Sequence, residues 1–365
     1  MNFWDELFAS GGGENHQQAE MRLLRKHGRP LLLIPAKPRL AIQCLALYPA
    51  QTSQARLAKG ILRRLWQFGL FIKTEPVQLK ISENVPLVRF LSSIGPDTSG
   101  QLPAFGILAG NPVGGTQRFV ILLFNAQNQP AAIIKAGSTP AAQELIASEK
   151  AFLLTAPSGT RGIPQVRSSF ESPCLNAFAL DFFEGSSPQA KDEHLLPELL
   201  TAWLRREQKT ALRDFPEWAA LKKHFGRANA DNKVIACASD RMIQSAIQHG
   251  DFAPWNIKVS PTGSWTALDW ERGKINGIPG WDWFHYLIQT SILVRKIPIA
   301  ALENRVEELL LSPAFKRYAE KAAIIGIERP LLLMYLAQLV EVIKPAEGLT
   351  ENEALFQSLK RRWIY

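Results

Sequence analysis

HGDFAPWNIKV, His249–Val259, and ALDWE, Ala267–Glu271, are the stretches that decide the fold. A short apolar run enters a loop that carries an acid, Asp251, and an amide, Asn256. Ile257–Val259 then reads as a strand, Pro261-Thr262-Gly263 as a turn, and Trp265–Leu268 as a second strand that delivers Asp269. A hairpin of this kind holds the three oxygen-bearing side chains at one end of a small sheet. One carboxylate and one amide oxygen suit a hard cation such as Mg²⁺, with phosphate oxygens completing the octahedron. A second carboxylate, kept off the metal, can accept a proton from an attacking hydroxyl.

HxDxxxxN followed by a strand and a further Asp resembles the catalytic and metal-binding segment of the protein-kinase-like fold. With His-Gly-Asp in place of His-Arg-Asp, and Asp-Trp-Glu in place of Asp-Phe-Gly, it is similar to the aminoglycoside phosphotransferase and choline kinase branch, whose members phosphorylate small molecules. The resemblance implies an α+β, bilobal fold, with an N-terminal antiparallel-sheet lobe and a mainly helical C-terminal lobe. It implies that Asp251 orients and deprotonates a substrate hydroxyl, that Asn256 and Asp269 hold Mg²⁺ on the phosphates of ATP, and that His249 buttresses the loop. Pro254 and Trp255 depart from the smaller or polar residues common in that branch. Trp255 either stacks in the substrate mouth or packs the loop onto the helical lobe, and the sequence leaves both open.

Upstream, Leu102–Leu108, Arg118–Phe124 and Ala131–Ala136 read as three strands of an antiparallel sheet. Between the first two lies a Gly-rich turn with Gly110, Gly114, Gly115 and Thr116, whose backbone N–H groups can approach phosphate closely. Lys135 ends an apolar strand, and a buried lysine needs a partner. By resemblance this lysine grips the nucleotide phosphates, steadied by a helix glutamate. Glu149, followed by AFLL in the helical run Pro140–Leu154, is preferred over Glu144 in the same helix. Ile163–Val166 and Phe178–Gly185 read as the strands that lead to a hinge where the family receives adenine. Beyond Ser187 the apolar spacing predicts helices over Leu195–Glu207, Pro216–Phe225 and Lys233–Gln248. Asp282 follows a Gly-Ile-Pro-Gly breaker; it either braces the catalytic loop, as in the family, or caps a helix, and both can hold.

Three sections are expected: an extension over 1–90, a nucleotide-binding lobe over 91–185 and a helical lobe over 186–365. Within the extension, Arg29–Pro35 reads as a strand, and a helix begins near Thr52 with Ala58, Ile61, Leu62, Leu65 and Trp66 at helical spacing. Arg56, Lys59, Arg63 and Arg64 make it basic; a docking helix with a solvated basic face is the reading preferred over peripheral contact with anionic lipid.

At 365 residues, with 46% apolar and 21% charged residues, the chain is long enough for two packed lobes and is ordinary for a globular protein. Cys44, Cys174 and Cys237 lie far apart, which argues against a zinc site or a disulfide framework and fits the cytosol. Met1–Met21 has neither a basic start nor a sustained apolar core, so no signal peptide is expected, and no apolar run approaches the length of a membrane span. The net charge of +9 suits an anionic ligand such as a nucleotide; the scattered bases carry no nucleic-acid reader motif. The function expected is ATP- and Mg²⁺-dependent transfer of phosphate to a hydroxyl of a sugar, amino alcohol, glycan or antibiotic. A kinase-like binding or scaffold protein without turnover is the alternative. The acceptor's identity, the choice between ATP and GTP, and the oligomeric state are not encoded legibly.

Overall fold

A computed structural model describes residues 7–8, 16–48, 53–95, 102–110, 117–225, 238–345 and 348–364. It has a sheet-rich N-terminal part and a helical C-terminal part, an α+β organisation. Contacts divide the chain into two units, one formed by Met1–Leu154 with Pro164–Phe183 and the other by Thr155–Ile163 with Glu184–Tyr365.

The first unit is built on one eight-stranded sheet in the order β3-β1-β2-β4-β5-β6-β8-β7, antiparallel at each pairing. Its strands are β1 His16–Lys26, β2 Arg29–Pro35, β3 Thr74–Ser82, β4 Phe105–Ala109, β5 Arg118–Phe124, β6 Pro130–Gly137, β7 Val166–Ser172 and β8 Leu175–Asp181. Residues 16–82 thus add three strands to the edge marked by β4. Alternation fixes the two faces. Leu33, Ile107, Ile121 and Ile134 enter one core with Leu87, Phe90 and Leu91, while Leu32, Ile34, Leu122 and Phe124 enter another with Leu40, Ala41 and Trp66. Both faces are covered because the sheet carries helices on each: α1 Pro38–Cys44 and α2 Ser53–Gln67 on the Leu32 side, α3 Pro86–Ile94 on the Leu33 side. Proline opens α1 and α3, where its missing N–H costs no helical hydrogen bond. A fourth helix, α4 Pro140–Thr155, follows β6 and buries Ile146, Glu149 and Phe152.

In the second unit, β9 Leu204–Ala211, β10 Met242–Gln248 and β13 Lys274–Gly277 form a three-stranded antiparallel sheet in the order β13-β10-β9. β11 Ile257–Val259 pairs with β12 Trp265–Ala267 as the expected hairpin, with Gly263 at φ 84° in its turn. Among the described residues seven α-helices accompany them: α5 Leu196–Ala202, α6 Pro216–Phe225, α7 Trp281–Gln289, α8 Ile299–Leu311, α9 Pro313–Ala322, α10 Glu328–Ala337 and α11 Leu349–Ile364. The helical spacing read over Leu195–Glu207 and Lys233–Gln248 is corrected here. The first run is helical only to Ala202 and then becomes β9; the described end of the second is β10. Ile243, Ala246 and Ile247 imitate helical spacing, but the strand is buried at Ser245, Ala246, Ile247 and Gln248 in succession, so both faces are covered and pairing with β9 overrides local propensity. In this unit Trp203 meets Phe252 and Trp270 edge to face, 5.2 Å from each. Among the described residues no helix is long and apolar enough to cross a membrane.

Candidate active site

In the first unit, Lys135 lies on β6 between Val120 of β5 and Phe178 of β8. An interior strand flanked on both sides buries it, and its Nζ donates to Glu149 Oε1 on α4 at 2.6 Å. The structure therefore brings Glu149, not the exposed Glu144, to the lysine. A pair so fully removed from water has no bulk solvent to replace a lost partner. Gly110 donates its N–H to Arg118 O at 2.8 Å, and a Cβ there would fall 2.4 Å from that oxygen, so a side chain would force this hairpin end apart. Gly114, Gly115 and Thr116 lie outside the described residues.

In the second unit, the loop after β10 carries His249, Gly250 and Asp251. Gly250 stands at φ 80°, and a Cβ would meet Arg272 Cβ and O at 2.9 Å. Positive φ and close backbone approach explain glycine between the histidine and the acid. His249 is fully buried, and burial lowers its pKa to about 4, so it is neutral. One tautomer satisfies both nitrogens: Nε2–H donates to Leu268 O at 2.7 Å, and Nδ1 accepts from the Asp251 N–H at 3.2 Å. His249 thus ties the loop to the strand end that precedes Asp269.

Asp282, in the first turn of α7, accepts from the N–H groups of His249 at 2.7 Å and Gly250 at 3.1 Å. Gly280 occupies the cap position of that helix, so the Asp282 side chain serves the loop rather than its own helix. Burial raises its pKa to about 6, against the pull of those two donors.

Asp251 is held by two side chains. Asn256 Nδ2 donates to its Oδ2 and to its backbone oxygen, both at 2.9 Å, and His285 Nε2 donates to Oδ1 at 3.1 Å. Burial would raise the Asp251 pKa, but the His285 hydrogen bond, with the Arg272 guanidinium nearby, brings it below the usual carboxylate value. Behind His285 the Tyr335 hydroxyl bonds to Nδ1 at 2.9 Å, its proton retained because burial pushes that phenol well up. Tyr335, His285 and Asp251 form a hydrogen-bonded row ending at a carboxylate whose side chain is 37% exposed. The sequence reading missed His285 and Tyr335. His285 had a signal, since it lies one helical turn after Asp282; Tyr335, fifty residues further on, had none.

The hairpin sets the other donors. Leu268 N–H donates to Asn256 O at 2.7 Å, directly beyond the Ile257–Ala267 pair, so Asn256 and Asp269 leave the same end of β11 and β12. Asp269 is left-handed at φ 64°, an uncommon conformation for a residue with a side chain and frequent at functional sites. Asn256 commits its amide nitrogen to Asp251, which leaves Oδ1 as the donor end for a cation. No group of three His, Cys, Asp or Glu side chains gathers among the described residues. One carboxylate and one amide oxygen are too few for a closed metal cage but fit Mg²⁺, which keeps water and phosphate oxygens in its shell. Trp255, between Pro254 and Asn256, is half-buried.

No protein-family model matches the chain, and no curated protein matches it. Solved structures do resemble it. One is a thermostable mutant of aminoglycoside phosphotransferase APH(4)-Ia in ternary complex with ADP and hygromycin B, at 14% identity and TM-score 0.47, covering 71% of this chain and 94% of that one. A candidate fructosamine-3-kinase from Haemophilus somnus 129PT has 14% identity and TM-score 0.43, covering 75% of this chain and 96% of its own. Aminoglycoside phosphotransferase APH(3'')-Id from Streptomyces rimosus ATCC10970 has 13% identity and TM-score 0.41, covering 63% and 90%.

Proposed function

We propose that the protein is an ATP- and Mg²⁺-dependent phosphotransferase that moves the γ-phosphate to a hydroxyl of a small molecule. The observation that carries the reading is Asp251: a partly exposed carboxylate kept ionised, with both oxygens occupied by donors that fix its direction. Such a group accepts the proton of an attacking hydroxyl as the oxygen bonds to phosphorus and ADP departs. Asn256 Oδ1 and Asp269 would hold Mg²⁺, which when bound neutralises charge on the phosphate oxygens. Lys135, steadied by Glu149, is the candidate donor to nucleotide phosphate, and Gly110, Gly114, Gly115 and Thr116 are the candidate backbone donors. His249 and Asp282 hold the catalytic loop in shape and take no part in bond making. The acceptor is a sugar, amino alcohol, glycan or antibiotic.

The test is a coupled ADP-release assay with MgATP against a panel of such hydroxyl compounds. Acceptor-dependent ADP release that Asp251→Asn loses, while still binding nucleotide, supports the reading. Nucleotide binding without turnover for any acceptor would leave a kinase-like binding protein in its place.

A further inference from the structure

Residues 53–73, SQARLAKGILRRLWQFGLFIK, carry side chains that the proposed phosphotransfer chemistry does not use. Of eleven large apolar side chains exposed among the described residues, five fall between positions 57 and 72: Leu57, Ile61, Phe68, Leu70 and Ile72. Leu57 is 67% exposed and Phe68 79%. Leu57, Ile61 and Arg64 share one line along α2, which Phe68 continues just past its end, while Leu62 and Trp66 on the opposite side pack into the core beneath the sheet. This helix has two apolar faces, and among the described residues only the Leu62 and Trp66 face is packed.

The segment after the helix is held so that it enlarges that second face. Gly69, at φ 74°, donates to Trp66 O while Leu70 N–H donates to Leu65 O, the paired bonds of a left-handed helix stop. Phe71 then turns inward against Trp66, with Arg22 stacked over its ring at 4.4 Å. Leu70 and Ile72, on either side of Phe71, stay outside.

Charge singles out the same region. No Asp or Glu occurs from Met21 to Thr74, whereas Arg22, Arg25, Lys26, Arg29, Lys37, Arg39, Arg56, Lys59, Arg63, Arg64 and Lys73 all do. These fifty-four residues carry +11 against +9 for the whole chain, so the remainder is close to neutral at −2. Arg56, Arg63, Arg64 and Lys73 are exposed beside the apolar line. Leucine, isoleucine and phenylalanine flanked by arginine and lysine answer the two parts of an anionic bilayer surface, its acyl boundary and its charged headgroups. A nucleic acid would use the arginines but not the aliphatic line.

We propose that α2 and the following turn, Ser53–Lys73, are a docking surface for anionic lipid that seats the first unit on a membrane face. The surface is peripheral: Leu57, Ile61, Phe68, Leu70 and Ile72 enter the headgroup boundary, and the arginines stay at the phosphates. It is independent of the phosphotransfer reading and stands whether or not ATP is turned over.

The experiment is co-sedimentation of the full chain with phosphatidylcholine vesicles, with and without phosphatidylglycerol. Three variants accompany it: Arg63→Gln with Arg64→Gln; Leu57→Ser with Ile61→Ser and Phe68→Ser; and Ile325→Ser as an exposed apolar control elsewhere. Binding should require phosphatidylglycerol and weaken as salt rises. The arginine variant should lose about fivefold per charge removed, the apolar triple variant should lose binding at every salt concentration, and Ile325→Ser should bind as the parent does. All three should melt with the parent, because the altered side chains are exposed. Equal binding to neutral vesicles, no binding to either, or a triple variant that binds like the parent overturns the proposal. So does a parent that is dimeric in solution and a triple variant that is monomeric, since a second copy would then cover this face.

Discussion

Asp282 and His249 are both fully buried, and they pull the pH dependence of stability in opposite directions. Asp282 has its pKa raised from the usual 3.8 to about 6 in the folded chain. Between those values the folded state holds a proton that the unfolded state releases, so this contribution is complete below pH 3.8 and is lost as pH rises through about 6. The gap corresponds to about 3 kcal/mol. His249 has its pKa lowered from 6.5 to about 4, so the unfolded state takes up a proton that the folded state refuses. Its contribution is present above pH 6.5 and is lost as pH falls to about 4, and is again worth about 3 kcal/mol. From pH 4 to 6 the two slopes nearly cancel in the native protein. Asp282→Asn removes one of them. Relative to the parent, its unfolding free energy should climb by about 3 kcal/mol between pH 4 and 6.5, while His249→Asn should show the opposite trend. Other carboxylates act equally in parent and variant and drop out of the comparison. Urea unfolding across that pH range, followed by the fluorescence of Trp203, Trp270 and Trp283 in the same unit, reads it. If Asp282→Asn runs parallel to the parent at all pH values, burial does not hold that carboxyl protonated and the reasoning fails.

Three further outcomes follow from particular contacts. Lys135→Met removes the cation beside the buried Glu149 carboxylate and should cost about 3–5 kcal/mol in thermal or denaturant unfolding; adding Glu149→Leu should return most of that stability. Under the proposed phosphotransfer, His285→Ala unfastens Asp251 Oδ1 and should lower kcat on the order of a hundredfold with a much smaller change in KM for ATP, so a comparable change in both would remove its positioning role. Gly106→Ala places a Cβ 2.3 Å from Cys44 Sγ and should destabilise by about 1–3 kcal/mol. Cys44→Ala in that background should recover part of the loss, and a melting temperature unchanged by Gly106→Ala would contradict the close packing.

Much of the site geometry was legible because its parts are local. Asp251, Asn256 and the Ile257–Ala267 hairpin sit within a few residues of one another, and their spacing alone puts Asn256 and Asp269 at one hairpin end. Lys135 could be expected to need a partner because a buried lysine demands a counter-charge, but the choice of Glu149 over Glu144 rested on the resemblance, through the AFLL that follows it. What stayed hidden depends on distant chain. Tyr335 reaches His285 only through the packing of α10 against α7. β9, with the sequence LRREQKTA, is rich in helix-favouring residues and becomes a strand through pairing with Met242–Gln244. The continuation of the sheet from β4 into β2, β1 and β3 likewise arises from long-range pairing that no local pattern announces. The exposed apolar line on α2 was hidden by the same ambiguity: the apolar residues of that helix fit one amphipathic stripe on paper, and only the packing of Trp66 and Leu62 shows which of them face outward.

Calorimetric titration of MgATP into the full chain, into Asp269→Asn and into Asp251→Asn tests the central claim most directly. Saturable binding that needs Mg²⁺, that Asp269→Asn loses and that Asp251→Asn keeps is the predicted result. No heat from the native protein, or binding that is indifferent to both Mg²⁺ and Asp269, would contradict it.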